Sequence, residues 1–110
     1  MSAQAQKWLA KARKIGAADD ANLTLDQQRA QNRQLYHPVS EQAITKHQVT
    51  IRNEIIAGVP CLIVDPAKRQ ENRTILYIFG GAFIRGSAFE DVPISAALAA
   101  KTGAQVICPE

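Results

Sequence analysis

The stretch RTILYIFGGAFIRGS, Arg73 to Ser87, is the most informative part of this chain for its fold. A run of β-forming residues, Ile75 to Phe79, ends at the Gly80-Gly81 pair, and a helix-compatible segment begins soon after Ser87. The pattern predicts a buried strand that leads into a glycine turn. Because glycine adopts dihedral angles that other residues avoid, such a turn can bring main-chain N–H groups close to another molecule.

The residues before this stretch predict an antiparallel hairpin. Apolar and polar residues alternate from His47 to Ile55, which is typical of a half-buried strand. Val59 to Val64 forms a second apolar run, and only the Ala57-Gly58 turn separates the two. The next strand, Thr74 to Phe79, is apolar on both sides of its pleat, so we expect it in the middle of a covered sheet.

The residues after the glycine turn predict a crossover helix and a parallel strand. Asp91-Val92-Pro93 is suited to the start of a helix, and Gly103 is suited to its end. The next strand is predicted over Ala104 to Cys108. A sheet with a doubly apolar central strand needs helices on both faces, but the sequence provides one crossover helix. We therefore expect an α/β fold that is the first part of a larger domain.

Two helices are predicted before the sheet. Residues 3–18 form an amphipathic pattern whose apolar stripe consists of Trp8, Leu9, Ala12 and Ile15. Thr24 and Gln27 match a capping box, which predicts a second helix that ends at Leu35 or Tyr36, before Pro38. Residues 1–45 would thus form a helical cap segment, and residues 46–110 the first four strands and first crossover helix of the core.

Composition excludes several functional classes. The chain has 110 residues, 46% of them apolar and 21% charged, as in an ordinary soluble domain. Its net charge is +3, but the basic residues are scattered along the sequence, which argues against a nucleic-acid partner. No window is long and apolar enough for a membrane span. Cys61 and Cys108 show no metal-ligand spacing, and we expect buried, reduced thiols and a cytoplasmic location.

The N-terminal helix is basic, and two interpretations of it remain open. Residues 1–18 contain Lys7, Lys11, Arg13 and Lys14 but no acidic residue. This composition is compatible with an organelle transit peptide or with a basic surface helix. The surface helix is the favoured interpretation.

The order of these motifs resembles the N-terminal part of an α/β-hydrolase of the hormone-sensitive-lipase-like esterase family. Phe79-Gly80-Gly81-Ala82-Phe83, followed by Gly86-Ser87, lies where the family has a His-Gly-Gly-Gly-Phe/Tyr loop and Gly-Ser. Val106 to Glu110 resembles the strand that in the family leads into a Tyr-Arg-Leu-Ala-Pro segment. The resemblance covers nearly the whole chain and implies an incomplete α/β-hydrolase fold.

The resemblance implies that the glycine loop forms an oxyanion hole. In ester hydrolysis, backbone N–H groups of this loop stabilise the tetrahedral intermediate together with the amide that follows the nucleophile. The corresponding residues are Gly80, Gly81 and Ala82, with the amides of Gly81 and Ala82 as donors and Gly80 supplying backbone freedom. Phe83 and the cap residue Trp8, with Leu9 beside it, are candidates for the substrate pocket. The alternative is that these side chains only pack within the cap, and for Trp8 this alternative is favoured.

The sequence departs from the family pattern at two positions of the loop. Phe79 replaces the usual histidine and cannot brace the loop through a hydrogen bond. Ala82 replaces the third glycine, but its methyl group is small and its N–H is retained.

No residue of a catalytic triad is identified. A Gly-x-Ser-x-Gly elbow is absent from the sequence, and in this fold the serine, acid and histidine follow later in the chain. We interpret His37 and His47 as structural or surface residues, and Glu90 and Asp91 as acids near a helix start. This chain alone is not expected to hydrolyse esters, and we expect no cofactor and no metal ion. Its partners would be the rest of the hydrolase, or a second copy of the chain, and an ester substrate.

Three alternatives to the oxyanion loop account for parts of this sequence. Gly80-Gly81 could be a simple tight turn after a strand. A nucleotide site is disfavoured because Ala82 and Arg85 occupy the later positions of a Gly-x-Gly-x-x-Gly frame. The third alternative is a short, non-catalytic module whose loop amides and Arg85 bind a carboxylate or another anion.

Overall fold

The secondary structure follows the order predicted from the sequence. The computed structural model describes residues 1–16, 22–82 and 84–110. The elements are α1 (Ala3–Gly16), α2 (Leu25–His47), β1 (Thr50–Ile56), β2 (Val59–Asp65), β3 (Thr74–Leu76), α3 (Val92–Thr102) and β4 (Gln105–Pro109). The predicted helical residues 17 and 18 lie outside the described residues.

The four strands form one open, mixed sheet in the order β1-β2-β4-β3. β1 and β2 pair antiparallel, from Thr50 opposite Asp65 to Ile56 opposite Val59. β4 pairs antiparallel with β2 and parallel with β3. The predicted hairpin and the predicted parallel crossover are therefore confirmed.

Within the described residues, strand three lies at an edge of the sheet, so its predicted central position requires a strand from outside these residues. β4 lies between β2 and β3, so β3 is an edge strand. β3 is also shorter than predicted and ends at Leu76, although the Tyr77 N–H still donates to the Ile107 carbonyl at 2.9 Å. Leu76 and Ile78 are 66% and 67% exposed, because no described element covers this side of the strand.

The core lies between the sheet and two helices. Val64 and Val106 from the sheet are fully buried together with Val92, Ala96 and Ala99 of α3. The small alanine side chains allow α3 to approach the strands closely. Gly103, with φ of 71°, ends α3 in the left-handed conformation, as the sequence predicted.

α2 extends well beyond its predicted end and contains Pro38 in its interior. A proline inside a helix removes one backbone hydrogen bond and costs about 3 kcal/mol. Tertiary contacts of the second half of the helix offset this cost. Ser40 and Ala43 are buried there, and the Ser40 hydroxyl donates to the Phe89 carbonyl at 2.7 Å. At the other end of α2, the capping box of Thr24 and Gln27 is confirmed.

The longer α2 also changes the start of the first strand. His47 is the last residue of α2 rather than the first of a strand, and Gln48 follows it in the left-handed conformation with φ of 52°. Val49 is buried and Ile51 half-buried, as predicted, but Ile55 is exposed. The proposed boundary between residues 45 and 46 falls within this helix.

α1 presents much of its predicted apolar stripe to solvent. Trp8 is 73% exposed, and Leu9 is also exposed. None of the helices in the described part of the chain has the length and apolar character that a membrane crossing requires.

Candidate functional site

The glycine loop lies at the carboxyl end of β3, between the sheet and α3. This edge is where α/β sheets commonly bind ligands. The loop borders an open groove of about 590 Å³. Its lining comprises the loop residues Phe79, Gly80, Gly81, Ala82, Ile84, Arg85 and Gly86, with Arg29, Ile78, Pro109 and Glu110.

The loop backbone requires glycine at position 81. Gly81 has φ of 142°, and a Cβ atom placed on it would lie 1.8 Å from the Arg85 carbonyl oxygen. Gly86 has φ of 85°, and its Cβ would lie 2.6 Å from the Gly80 carbonyl oxygen. At Gly80, by contrast, nothing lies within 4 Å of such an atom. The backbone freedom that we expected from Gly80 is therefore supplied by Gly81 and Gly86.

Ala82 adopts a conformation that usually favours glycine. Its φ of 55° lies in the left-handed region, which a residue with a Cβ atom enters at a cost of about 1 kcal/mol. This explains why a third glycine suits this position and why alanine, with its small side chain, can still replace it.

Hydrogen bonds inside the loop close it into a turn. The Ile84 and Arg85 N–H groups both donate to the Gly81 carbonyl, at 3.1 and 2.9 Å. Arg29 of α2 donates from Nε to the Ile84 carbonyl at 3.0 Å. The Gly81 carbonyl is thereby directed into the turn.

Several amides of the loop, among them those of Gly81 and Ala82, have no acceptor among the described residues. The Gly80 N–H points to Asp91 Oδ2 at 3.4 Å. Within residues 1–16, 22–82 and 84–110, no hydrogen bond has the N–H of Gly81 or Ala82 as its donor. Both residues line the groove.

Asp91 and Tyr77 contribute to the site, although the sequence did not identify them. The Tyr77 hydroxyl donates to Asp91 Oδ2 at 2.9 Å. Burial, and then the hydrogen bond to the Asp91 carboxylate, raise the pKa of Tyr77 to about 12, so that the hydroxyl keeps its proton at neutral pH. Asp91 does begin α3, as predicted, but its side chain makes no capping hydrogen bond. An acid two residues before a proline predicts a helix start, but this pattern does not predict the contact with the Tyr77 hydroxyl.

Phe79 contributes to the loop by packing. Its side chain is half-buried against the hydrophobic core, and its ring lies beside Gly86 at the far end of the loop. The aromatic ring thus occupies space under the loop without supplying a hydrogen bond.

The two predicted pocket residues, Trp8 and Phe83, differ in what the structure describes. Trp8 lies on α1 and is not among the described residues that line the groove. Phe83 lies outside the described residues.

The histidines and serines have local contacts. His37 stacks on Phe89 with ring centroids 4.8 Å apart and lies 3.4 Å from the Glu41 carboxylate. The Ser87 hydroxyl accepts from the Glu90 N–H, and the Ser95 hydroxyl is buried and donates to the Val92 carbonyl.

Cys61 and Cys108 are both buried and free, as predicted. Burial raises the pKa of the Cys108 thiol to about 11, so the thiol is protonated at neutral pH. In the part of the chain that the structure describes, no group of three or more His, Cys, Asp or Glu side chains could hold a metal ion.

Comparison with solved structures identifies the type of fold. No family profile and no curated protein sequence matches the chain. Similar crystal structures include an esterase/lipase from an uncultured bacterium, with 15% identity and a TM-score of 0.81. They also include an esterase of the bacterial hormone-sensitive lipase family, with 18% identity and a TM-score of 0.76. A hormone-sensitive lipase from a metagenome library has 25% identity and a TM-score of 0.76.

Each of these alignments covers 100% of this chain but only 36%, 35% and 35% of the three larger proteins. The chain thus spans about a third of their length. The structural likeness confirms the resemblance to hormone-sensitive-lipase-like esterases and lipases and is consistent with an N-terminal portion of their fold.

Proposed function

We propose that this chain is the N-terminal portion of a serine carboxylic-ester hydrolase and supplies its oxyanion-hole loop. The observation that carries the proposal is the pair of N–H groups of Gly81 and Ala82, which face no acceptor among the described residues and border the groove. The esterases and lipases with a similar fold support the same reaction class.

In the proposed reaction, the chain contributes electrostatic stabilisation. When the nucleophile attacks the ester carbonyl, the carbonyl oxygen acquires negative charge, and the N–H groups of Gly81 and Ala82 donate to it. A single preorganised donor of this kind contributes about 3 kcal/mol of transition-state stabilisation. Gly80 belongs to the same loop, but its N–H is directed at Asp91. The triad and the third amide would come from the rest of the hydrolase.

The rest of the hydrolase is also the proposed partner in the sheet. The edge of β3 and the exposed side chains of Leu76 and Ile78 form an apolar surface that a neighbouring strand and helix could cover. We propose the division into a cap segment, residues 1–45, and a core, residues 46–110, with α2 continuous across the boundary. Trp8 and Phe83 remain proposed pocket residues, and the free thiols favour a cytoplasmic location.

Hydrolysis of p-nitrophenyl acetate tests this proposal. We expect the complete protein, or this chain reassembled with its complementary part, to hydrolyse the ester and to be labelled by a fluorophosphonate. The isolated 110-residue chain is expected to do neither. An absence of both reactions in the complete protein would refute the hydrolase, and serine-dependent turnover by the isolated chain would refute the assignment of the triad to another segment.

The second candidate is a non-catalytic module that binds an anion. It is favoured by the two guanidinium groups, Arg29 and Arg85, that line the same groove as the loop amides. The coding sequence after Glu110 separates the candidates. A Tyr-Arg-Leu-Ala-Pro continuation and a later Gly-x-Ser-x-Gly elbow support the hydrolase, whereas a stop codon combined with carboxylate binding, measured by calorimetry with acetate, supports the binding module.

A further inference from the structure

The carboxylate of Asp91 connects three parts of the site. Its Oδ2 atom accepts a hydrogen bond from the Tyr77 hydroxyl at 2.9 Å and lies 3.4 Å from the Gly80 nitrogen. Tyr77 follows β3 directly, Gly80 begins the glycine loop, and Asp91 begins α3. One oxygen atom therefore links the end of the strand, the start of the loop and the start of the helix.

The main chain of Asp91 is held firmly in α3. The N–H groups of Ile94 and Ser95 donate to the Asp91 carbonyl, at 2.9 and 3.2 Å, and the next residue, Val92, is fully buried. An aspartate at a helix start ordinarily accepts from the N–H groups of the first turn, but this side chain makes no such bond. Its carboxylate is directed toward the loop instead.

The loop needs such an external constraint because Phe79 offers no polar group. Phe79 directly precedes Gly80, and the Phe79 ring restrains the loop by packing alone. The N–H direction of Gly80 sets the plane of the Phe79–Gly80 peptide. The following amides, those of Gly81 and Ala82, take their directions from that plane through the dihedral angles of Gly80 and Gly81.

We propose that Asp91 is a positioning residue, which orients the Gly81 and Ala82 amides toward the reacting carbonyl by holding Gly80 and Tyr77. The inference rests on the proposed hydrolase function. The inference adds Asp91 to the site as a residue that does not touch the substrate. It assigns the Gly80 N–H to the contact with Asp91 rather than to the oxyanion. Tyr77 shares the role as the donor that fixes the carboxylate.

The test compares Asp91→Ala with Asp91→Asn in the complete hydrolase. Asparagine retains an oxygen that can accept from both Tyr77 and Gly80, whereas alanine retains none. We expect Asp91→Ala to lower kcat for p-nitrophenyl acetate about 10- to 100-fold, as for the loss of a hydrogen bond to a charged group, with KM changed less than about threefold. Asp91→Asn is expected to keep kcat within about fivefold of the wild-type value, and Tyr77→Phe to lie between the two.

Glu90→Ala is the matched control. Glu90 is the neighbouring acid. Among the described residues its carboxylate accepts no hydrogen bond from the loop, and only its backbone N–H donates, to the Ser87 hydroxyl. We expect its kcat to equal that of the wild type. If the role of Asp91 were purely structural, the alanine and asparagine variants would have equally lowered Tm values and equally lowered fractions of active enzyme. Their kcat values, calculated per active site titrated with fluorophosphonate, would then be the same.

Amide hydrogen exchange separates this inference from the proposed function. In Asp91→Ala, but not in Asp91→Asn, the Gly80, Ile84 and Arg85 amides are expected to exchange at least about tenfold faster, since the loop opens more often. If the complete wild-type protein hydrolyses no ester, the hydrolase proposal fails while this exchange comparison still decides the role of Asp91. Equal exchange in both variants, or equal kcat in Asp91→Ala and wild type, would overturn the positioning role.

Discussion

Replacing Gly81 with alanine is the most direct test of the loop geometry. The new Cβ atom would lie 1.8 Å from the Arg85 carbonyl oxygen, and φ of 142° is strongly unfavourable for alanine. The segment must therefore rearrange. Rearrangement gives up the two hydrogen bonds to the Gly81 carbonyl from Ile84 and Arg85, which together are worth about 2 kcal/mol.

The catalytic effect is expected to exceed the effect on stability. If the rearranged loop misdirects one amide, the complete hydrolase loses about 3 kcal/mol of transition-state stabilisation, which corresponds to a loss of about 100-fold or more in kcat. The free energy of unfolding would fall by only about 2 kcal/mol, because the loop is exposed and can relax. Initial rates with p-nitrophenyl acetate measure the first effect, and urea unfolding measures the second.

Gly80→Ala is the matched control for stability. No atom lies within 4 Å of its added Cβ. The free energy of unfolding should therefore stay within about 1 kcal/mol of the wild-type value. Equal destabilisation of the two variants, or a Gly81→Ala enzyme with kcat within threefold of wild type, would refute the described geometry of the loop.

Three further predictions concern the helices and the core. Pro38→Ala should raise the free energy of unfolding by about 1–3 kcal/mol in thermal or urea unfolding, because it restores a backbone donor inside α2; a lower Tm would contradict this. Ser40→Ala should lower the free energy of unfolding by about 1–3 kcal/mol, since the buried hydrogen bond to the Phe89 carbonyl is lost. Thr45→Ala, on the exposed side of α2, should lower it by less than about 1 kcal/mol. Burial raises the pKa of Cys108 from 9.0 to about 11, so the folded state holds this proton more tightly and stability should fall as pH rises from 9 toward 11. Urea midpoints at pH 8, 9 and 10 measure the slope, and a Cys108→Ala variant with the same slope would exclude the thiol as its source.

Much of the fold was predictable because its signals are local. The alternation in β1, the short turn before β2 and the alanine-rich segment of α3 each reflect the conformational preferences of neighbouring residues. The same holds for the capping box at Thr24 and for Gly103 at the end of α3. The position of the glycine loop was predictable for the same reason, since a strand followed by paired glycines can hardly continue as a regular element.

The errors of the sequence-based predictions arose where distant contacts outweighed local preference. Pro38 indicates a helix end, but the burial of Ser40 and Ala43 against the α3 region keeps α2 intact. The apolar run before the glycines predicts a strand that continues to Phe79, yet β3 ends at Leu76, and among the described strands only β4 pairs with it.

The glycine loop illustrates the division between the two kinds of information. The local residue pattern is enough to predict that a strand ends there in a glycine turn, and it resembles the oxyanion loops of esterases. The three-dimensional arrangement was needed to see that Gly81 rather than Gly80 has the unusual backbone conformation, and that the carboxylate of Asp91 contacts the start of the loop. Both properties depend on the path of the backbone after the strand, which brings the Arg85 carbonyl to Gly81 and the Asp91 carboxylate to Gly80.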